Sequence, residues 1–288
     1  MFGRGYPLFS FEFYPPKTDA GLKRLYETIE DLRHLQPAFI SVTYGAGGGE
    51  RQRTLEIVSR VKQAMGLEVA AHVTCAGHTR EEIRGILEQV IDAGIENVVA
   101  LRGDPPAGHP PFVPEPGGYR YAAELIRDIR EARMPLCVLG AAYPEGHVEC
   151  PDRRQDLLHM KAKVEAGADA LITQLFFDNA FYFDFVTRAR EVGVTVPITP
   201  GIMPITNVDQ IERFTRLCGA TVPMRLAQAL ERIRGDSEAV LELGVSHAVL
   251  QCVDLLERGA PGIHFFTLNR SPATRMIVTA LKAHFGWA

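Results

Sequence analysis

A (β/α)8 barrel is the fold class that this sequence predicts, on three observations. Short β-rich runs alternate with longer helical patterns along the whole chain, and eight strand candidates can be marked. A helix-closing glycine also stands a few residues before a strand in AMGLEVAAHV, DAGIENVVAL, EAGADALITQL, EVGVTVPITP and ERGAPGIHFF. Eight such units suit the 288 residues available.

The first run, 8–13 (LFSFEF), alternates: Phe9, Phe11 and Phe13 share one face, Ser10 and Glu12 the other. An amphipathic stretch over 21–35 follows, then the strand 39–44 and the helix 52–65. The pairs 69–74 with 80–93, 97–102 with 121–133, 136–142 with 154–166 and 170–176 with 179–192 repeat the unit. A seventh strand, 196–202, leads into a helical insertion over about 208–258 before the last strand, 262–268. No Ser/Gly/Pro-rich linker divides the chain, so one domain over 1–288 is expected. The alternative, a doubly wound open sheet, would show a glycine-rich fingerprint after its first strand, where Tyr14-Pro15-Pro16 stands.

Composition narrows the functional classes. Hydrophobic residues at 46% and charged residues at 23% exclude a disordered or fibrous chain. The 31 Lys and Arg against 35 Asp and Glu give a net charge of −4 with no basic block, which argues against a nucleic-acid partner. Cys75, Cys137, Cys150, Cys218 and Cys252 form no C-x-x-C pair and read as free thiols in a reducing compartment. With no signal-peptide pattern and no apolar run near membrane length, a cytoplasmic protein without membrane association is expected.

Catalytic groups of such barrels sit at the C-terminal ends of the strands. Polar residues gather there: Glu12, Thr43 and Tyr44, His72 and Thr74, Arg102 and Asp104, Tyr143, Gln174, and Asn269 with Arg270. Glu12 faces the barrel mouth; burial would raise its carboxyl toward about 6–7 and suit a general acid, or the side chain pairs with a buried arginine such as Arg102. Asp104 in Gly-Asp-Pro-Pro is a turn former or a functional charge, and His72 a core histidine or a catalyst. No partner stands at metal-ligand spacing to His72, so no metal is expected. Gly45-Ala-Gly-Gly-Gly49 reads as a βα loop or a phosphate cradle. The aromatics Phe176, Phe177, Phe181, Tyr182, Phe183 and Phe185 read as core packing or a stacking platform.

Eight segments in order make this chain resemble the methylenetetrahydrofolate reductases of bacterial type. They are Ser10-Phe-Glu-Phe-Tyr-Pro-Pro-Lys17, Ser41-Val-Thr-Tyr-Gly-Ala46, Ala71-His-Val-Thr-Cys75, Ala100-Leu-Arg-Gly-Asp-Pro-Pro106, Ala142-Tyr-Pro-Glu-Gly-His147, Ile172-Thr-Gln-Leu-Phe-Phe177, Pro200-Gly-Ile-Met-Pro204 and Phe266-Thr-Leu-Asn-Arg270. The resemblance implies the catalytic barrel alone, with tightly but non-covalently bound FAD. It implies NADH or NADPH as reductant, a folate as small-molecule substrate, a homo-oligomer, and a ping-pong route in one-carbon metabolism that supplies methionine biosynthesis. Carried over by motif, Glu12 is the acid at N10 of the folate and Asp104 the charge that tunes flavin and substrate. Thr43, Tyr44, Ala46, His72, Arg102, Gly103, Asp104, Tyr121, Ala122, Tyr143, His147, Asp156, His159 and Lys163 would contact FAD. Gln174, Gln210, Phe214 and Arg270 would contact substrate. The sequence departs from some bacterial relatives at His159 and Ala162, where they carry Asn and Arg, and in a longer loop over 105–120.

Overall fold

The structure, a computed structural model, describes residues 7–44, 48–104 and 112–287, with only the backbone of 48–51. Eight parallel strands close into one barrel in chain order: β1 Leu8–Phe13, β2 Phe39–Val42, β3 Val69–Thr74, β4 Asn97–Leu101, β5 Cys137–Ala142, β6 Ala170–Leu175, β7 Ile198–Ile202 and β8 Gly262–Phe266. β1 and β8 seal the seam, with Ser10 opposite His264. The expected strands over 39–44 and 262–268 each end two residues early: the backbone N–H groups of Thr43 and Thr267 still donate to the Phe13 and Glu12 carbonyls of β1, and the chain then turns away to form the rim.

Helices α1 Asp19–Arg33, α2 Gly48–Met65, α3 Arg80–Asp92, α4 Ala122–Glu131, α5 Arg153–Glu165 and α6 Asn179–Glu191 follow their strands. The insertion resolves into α7 Val208–Cys218, α8 Met224–Arg232 and α9 Ser237–Glu257, and α10 Pro272–Phe285 follows β8. Local chemistry sets the starts: Thr79 and Glu82 form a reciprocal capping box on α3, and the side chains of Asp152, Asn207 and Asp236 cap α5, α7 and α9. One expectation is corrected by α9. By length and composition it is apolar enough to cross a membrane, yet it turns Val240, Val245, Ala248, Cys252 and Leu255 inward against the rest of the fold.

Strand alternation divides the core in two. Phe9, Phe11 and Phe13 point outward and pack with Leu25, Ile29 and Ile277 of the helical layer. Inside, Phe39, Ala70, Val99, Leu139, Ala170 and Ile172 form an apolar plug. The next inward positions, two residues further along, include Glu12, Ser41, His72 and Gln174, so the plug is the floor of a polar mouth. All five cysteines are free. Phe176, Phe177, Tyr182 and Phe185 are buried, as core packing requires, while Phe181 is exposed.

Candidate active site

Glu12 lies on the inner wall with its side chain 17% exposed. His72 Nε2 and His264 Nε2 each lie 3.3 Å from its Oε2, and Ser41 Oγ donates to the same oxygen at 3.4 Å. His264 is fully buried, and its Nδ1 stands 2.8 Å from Ser10 Oγ. This arrangement overturns two expectations from the sequence. Burial does act upward on the carboxyl, but the charge of His72 at 3.3 Å and the hydrogen bond with His264 outweigh it and hold the group at about 2. Nor does Glu12 pair with Arg102, which forms a bidentate pair with Glu149 at 2.7 and 2.9 Å. His264 escaped sequence reasoning because GIHFF carries no motif; its one signal is that it shares the inward face of β8 with Phe266.

The residues expected at a cofactor occupy the rim from β2 to α5. Tyr44 Oη lies 3.2 Å from His78 Nε2, and the Thr43 carbonyl accepts from Thr54 Oγ1. Gly103 has φ +82°, and a Cβ there would stand 2.7 Å from that of Ala76, so only glycine fits this approach. Asp104 is exposed beside it. Tyr143 is edge-on to His147 at 4.7 Å, and burial, then the charge of Asp104, push its hydroxyl up to about 12. Burial, then Arg102, lower His147, whose backbone N–H donates to Asp156. Tyr121 is exposed and stacked on His159 at 5.5 Å, while Ala122 is buried at the start of α4. Ala46 lies outside the described residues.

Lys163 donates to the Ala141 carbonyl at 2.6 Å and faces the Tyr143 ring at 5.6 Å. Burial holds its ammonium down at about 8 in spite of the pull of Asp156. Two cations, Lys163 and Arg102, and the open Tyr121/His159 stack thus form a donor set that could hold a cofactor combining aromatic rings with a diphosphate. Cys150, Asp156 and His159 bring three possible metal-ligand atoms within 4.8 Å of one another, but Asp156 is already committed to the His147 backbone.

Opposite, β6 to β8 bear the expected substrate residues. Gln174 is half-buried, its side-chain oxygen accepting from Leu175 N–H, and Gln210 and Phe214 are half-buried on α7. Arg270 lines a cavity of about 260 Å³ with Phe266, Thr206 and Ser237. The turn that carries it is strained: Leu268 and Asn269 have φ of +53° and +56°. Asn269 holds it by accepting from Tyr14 N–H and donating to the Tyr14 carbonyl.

The family model described as methylenetetrahydrofolate reductase matches residues 2–282. The chain belongs to this family. It is 39% identical to the 5,10-methylenetetrahydrofolate reductase of Escherichia coli over 278 residues, which is 96% of this chain and 91% of that protein. It is 40% identical to methylenetetrahydrofolate reductase (NADH) 1 of Arabidopsis thaliana over 276 residues, 92% of this chain. There it spans about half of the relative, 47%. Among solved structures, an uncharacterized protein from Clostridium thermocellum that binds two copies of 5-methyl-5,6,7,8-tetrahydrofolic acid has a TM-score of 0.63 at 17% identity, covering 98% of this chain and 95% of that one. A dihydropteroate synthase from Xanthomonas albilineans has a TM-score of 0.53 at 15% identity, covering 98% of this chain and 94% of that one. With these last two, this methylenetetrahydrofolate reductase family member shares the barrel fold.

Proposed function

We propose that this chain reduces 5,10-methylenetetrahydrofolate to 5-methyltetrahydrofolate, with FAD as resident cofactor and NADH or NADPH as reductant, the nicotinamide and the folate occupying one place in turn. The observation that carries this reading, beside the family, is the inward carboxylate of Glu12 set between two imidazoles at the mouth of the barrel. FAD, when bound, would supply hydride transfer between nicotinamide and folate. The chain supplies binding, orientation and a proton.

Lys163 and Arg102 would meet the diphosphate, Tyr121 and His159 the purine, and Tyr44, His72, Gly103, Asp104 and Tyr143 the ring system. Glu12 would deliver a proton to N10 of the folate as the bond from N10 to the methylene carbon breaks; the bonding pair goes to N10 and an N5 iminium remains. With the carboxyl held at about 2, the proton would reach Glu12 from a neighbouring imidazole or from water when the folate is bound. Asp104 would stabilise the cationic iminium, Gln174 would serve either ring as donor and acceptor, and Arg270 would bind a substrate carboxylate.

Anaerobic stopped-flow spectroscopy tests the reading. The purified yellow protein should bleach with NADH or NADPH and recover its colour on mixing with 5,10-methylenetetrahydrofolate. A protein that retains no flavin, or keeps its colour under both nicotinamides, would refute the proposal.

A further inference from the structure

Glu12 is clamped by the far end of the chain. His264 has no exposed surface; its ring stacks on Phe39 at 6.1 Å and meets the edge of Phe266 at 5.3 Å, so it is not free to turn. Both ring nitrogens are engaged, Nδ1 with Ser10 Oγ at 2.8 Å and Nε2 with Glu12 Oε2 at 3.3 Å. An enclosed polar ring costs folding free energy that an apolar residue would not. What it gains is control of one carboxyl. The contacts from Ser41, His72 and His264 all fall on Oε2, so among the described residues Oε1 has no side-chain partner.

We propose that His264 is a positioning residue for the Glu12 proton: held by Ser10, it fixes Oε2 beside His72 and leaves Oε1 to the substrate. This deepens, and rests on, the reading of Glu12 as the proton donor to N10. The groups that face the carboxyl are His72 from β3, His264 from β8 and the uncharged Ser41 from β2; the β7 residue opposite His264 is Gly201 and carries no charge. When the proton leaves Oε1 for N10, the carboxylate that forms is met at Oε2 by the His264 Nε2–H, and a proton returns to Glu12 from an imidazole or from water.

Three variants test the assignment: His264→Leu, which removes both contacts, His264→Gln, whose amide can reach Oε2 but cannot titrate, and Ser10→Ala, which frees Nδ1 without altering the ring. The first readout needs no activity. Carbon-13 NMR of the Glu12 carboxyl, assigned by its absence in Glu12→Gln, should show titration about one pH unit or more higher in both His264 variants. In the second, the folate half-reaction should slow roughly 10²-fold in His264→Leu, recover in large part in His264→Gln at its own optimum, and fall less in Ser10→Ala.

A general acid is active while protonated, so the falling limb of that pH profile should move to higher pH in both His264 variants. Flavin reduction by NADH should stay within about twofold. An unmoved carboxyl titration, or equal losses in both half-reactions, would overturn the proposal; should His264→Leu fail to fold, the same two readouts in His264→Gln and Ser10→Ala decide it. If Glu12→Gln itself leaves the folate half-reaction intact, the reading of Glu12 fails instead.

Discussion

In the proposed reaction the proton for N10 passes through position 12, whose carboxyl lies 3.3 Å from both His72 Nε2 and His264 Nε2. Glu12→Gln removes the proton but keeps the shape. The folate half-reaction should fall by about 10²–10⁴ while flavin reduction by NADH or NADPH survives, each followed by stopped-flow. Stability has its own sign. A carboxyl held at about 2 favours the folded state above its unfolded value of 4.5, and that contribution is lost as the pH falls toward about 2. Urea unfolding from pH 5 to pH 2 should reveal a loss of about 3 kcal/mol from this group, absent in Glu12→Gln. The inward face of β1 was legible because alternation needs one strand only. The direction of the shift was not, since its causes lie 60 and 252 residues away on β3 and β8 and meet Glu12 only through barrel closure.

Single elements set how each end of a ligand is held. On α5, Lys163 has lost part of its affinity for protons to burial, and an anionic diphosphate beside it would restore that affinity. Cofactor binding then takes up a proton, so the FAD dissociation constant should weaken by up to about tenfold per pH unit above about 8. Lys163→Met should bind more weakly at pH 7 and lose this dependence in a fluorescence titration. The turn from β8 to α10 makes a separate case. Asn269→Ala removes two bonds to the Tyr14 backbone and puts a poorer residue at φ +56°. A cost of about 2 kcal/mol in urea unfolding and a higher KM for the folate are expected, with flavin reduction unchanged. Helices and strands were legible from periodicity and from glycines such as Gly94 and Gly193, both left-handed here. The turn was not, because positive φ at Leu268 has no sequence signal.

At the scale of the molecule the proposed roles divide the rim into two arcs. The proposed cofactor residues run from position 43 to position 163 over β2 to α5, whereas Glu12, His264 and Arg270 gather around the seam where β1 meets β8, and His72 on β3 belongs to both arcs. The seam joins the two ends of the chain, so the cluster exists only once the barrel has closed. Gly262 is the residue through which this dependence can be read. A Cβ there would stand 2.2 Å from the Leu8 carbonyl oxygen, a backbone atom that cannot move without displacing β1. Gly262→Ala should therefore push β1 from β8 and cost about 1–3 kcal/mol, seen as a lower melting temperature. It should also separate Glu12 from His264 before it disturbs β2 to β5. The folate half-reaction should then fall well below wild type in a variant that still retains flavin and still bleaches with NADH at near its normal rate. Loss of flavin in step with the folate rate would show instead that the two arcs of the rim are one mechanical unit.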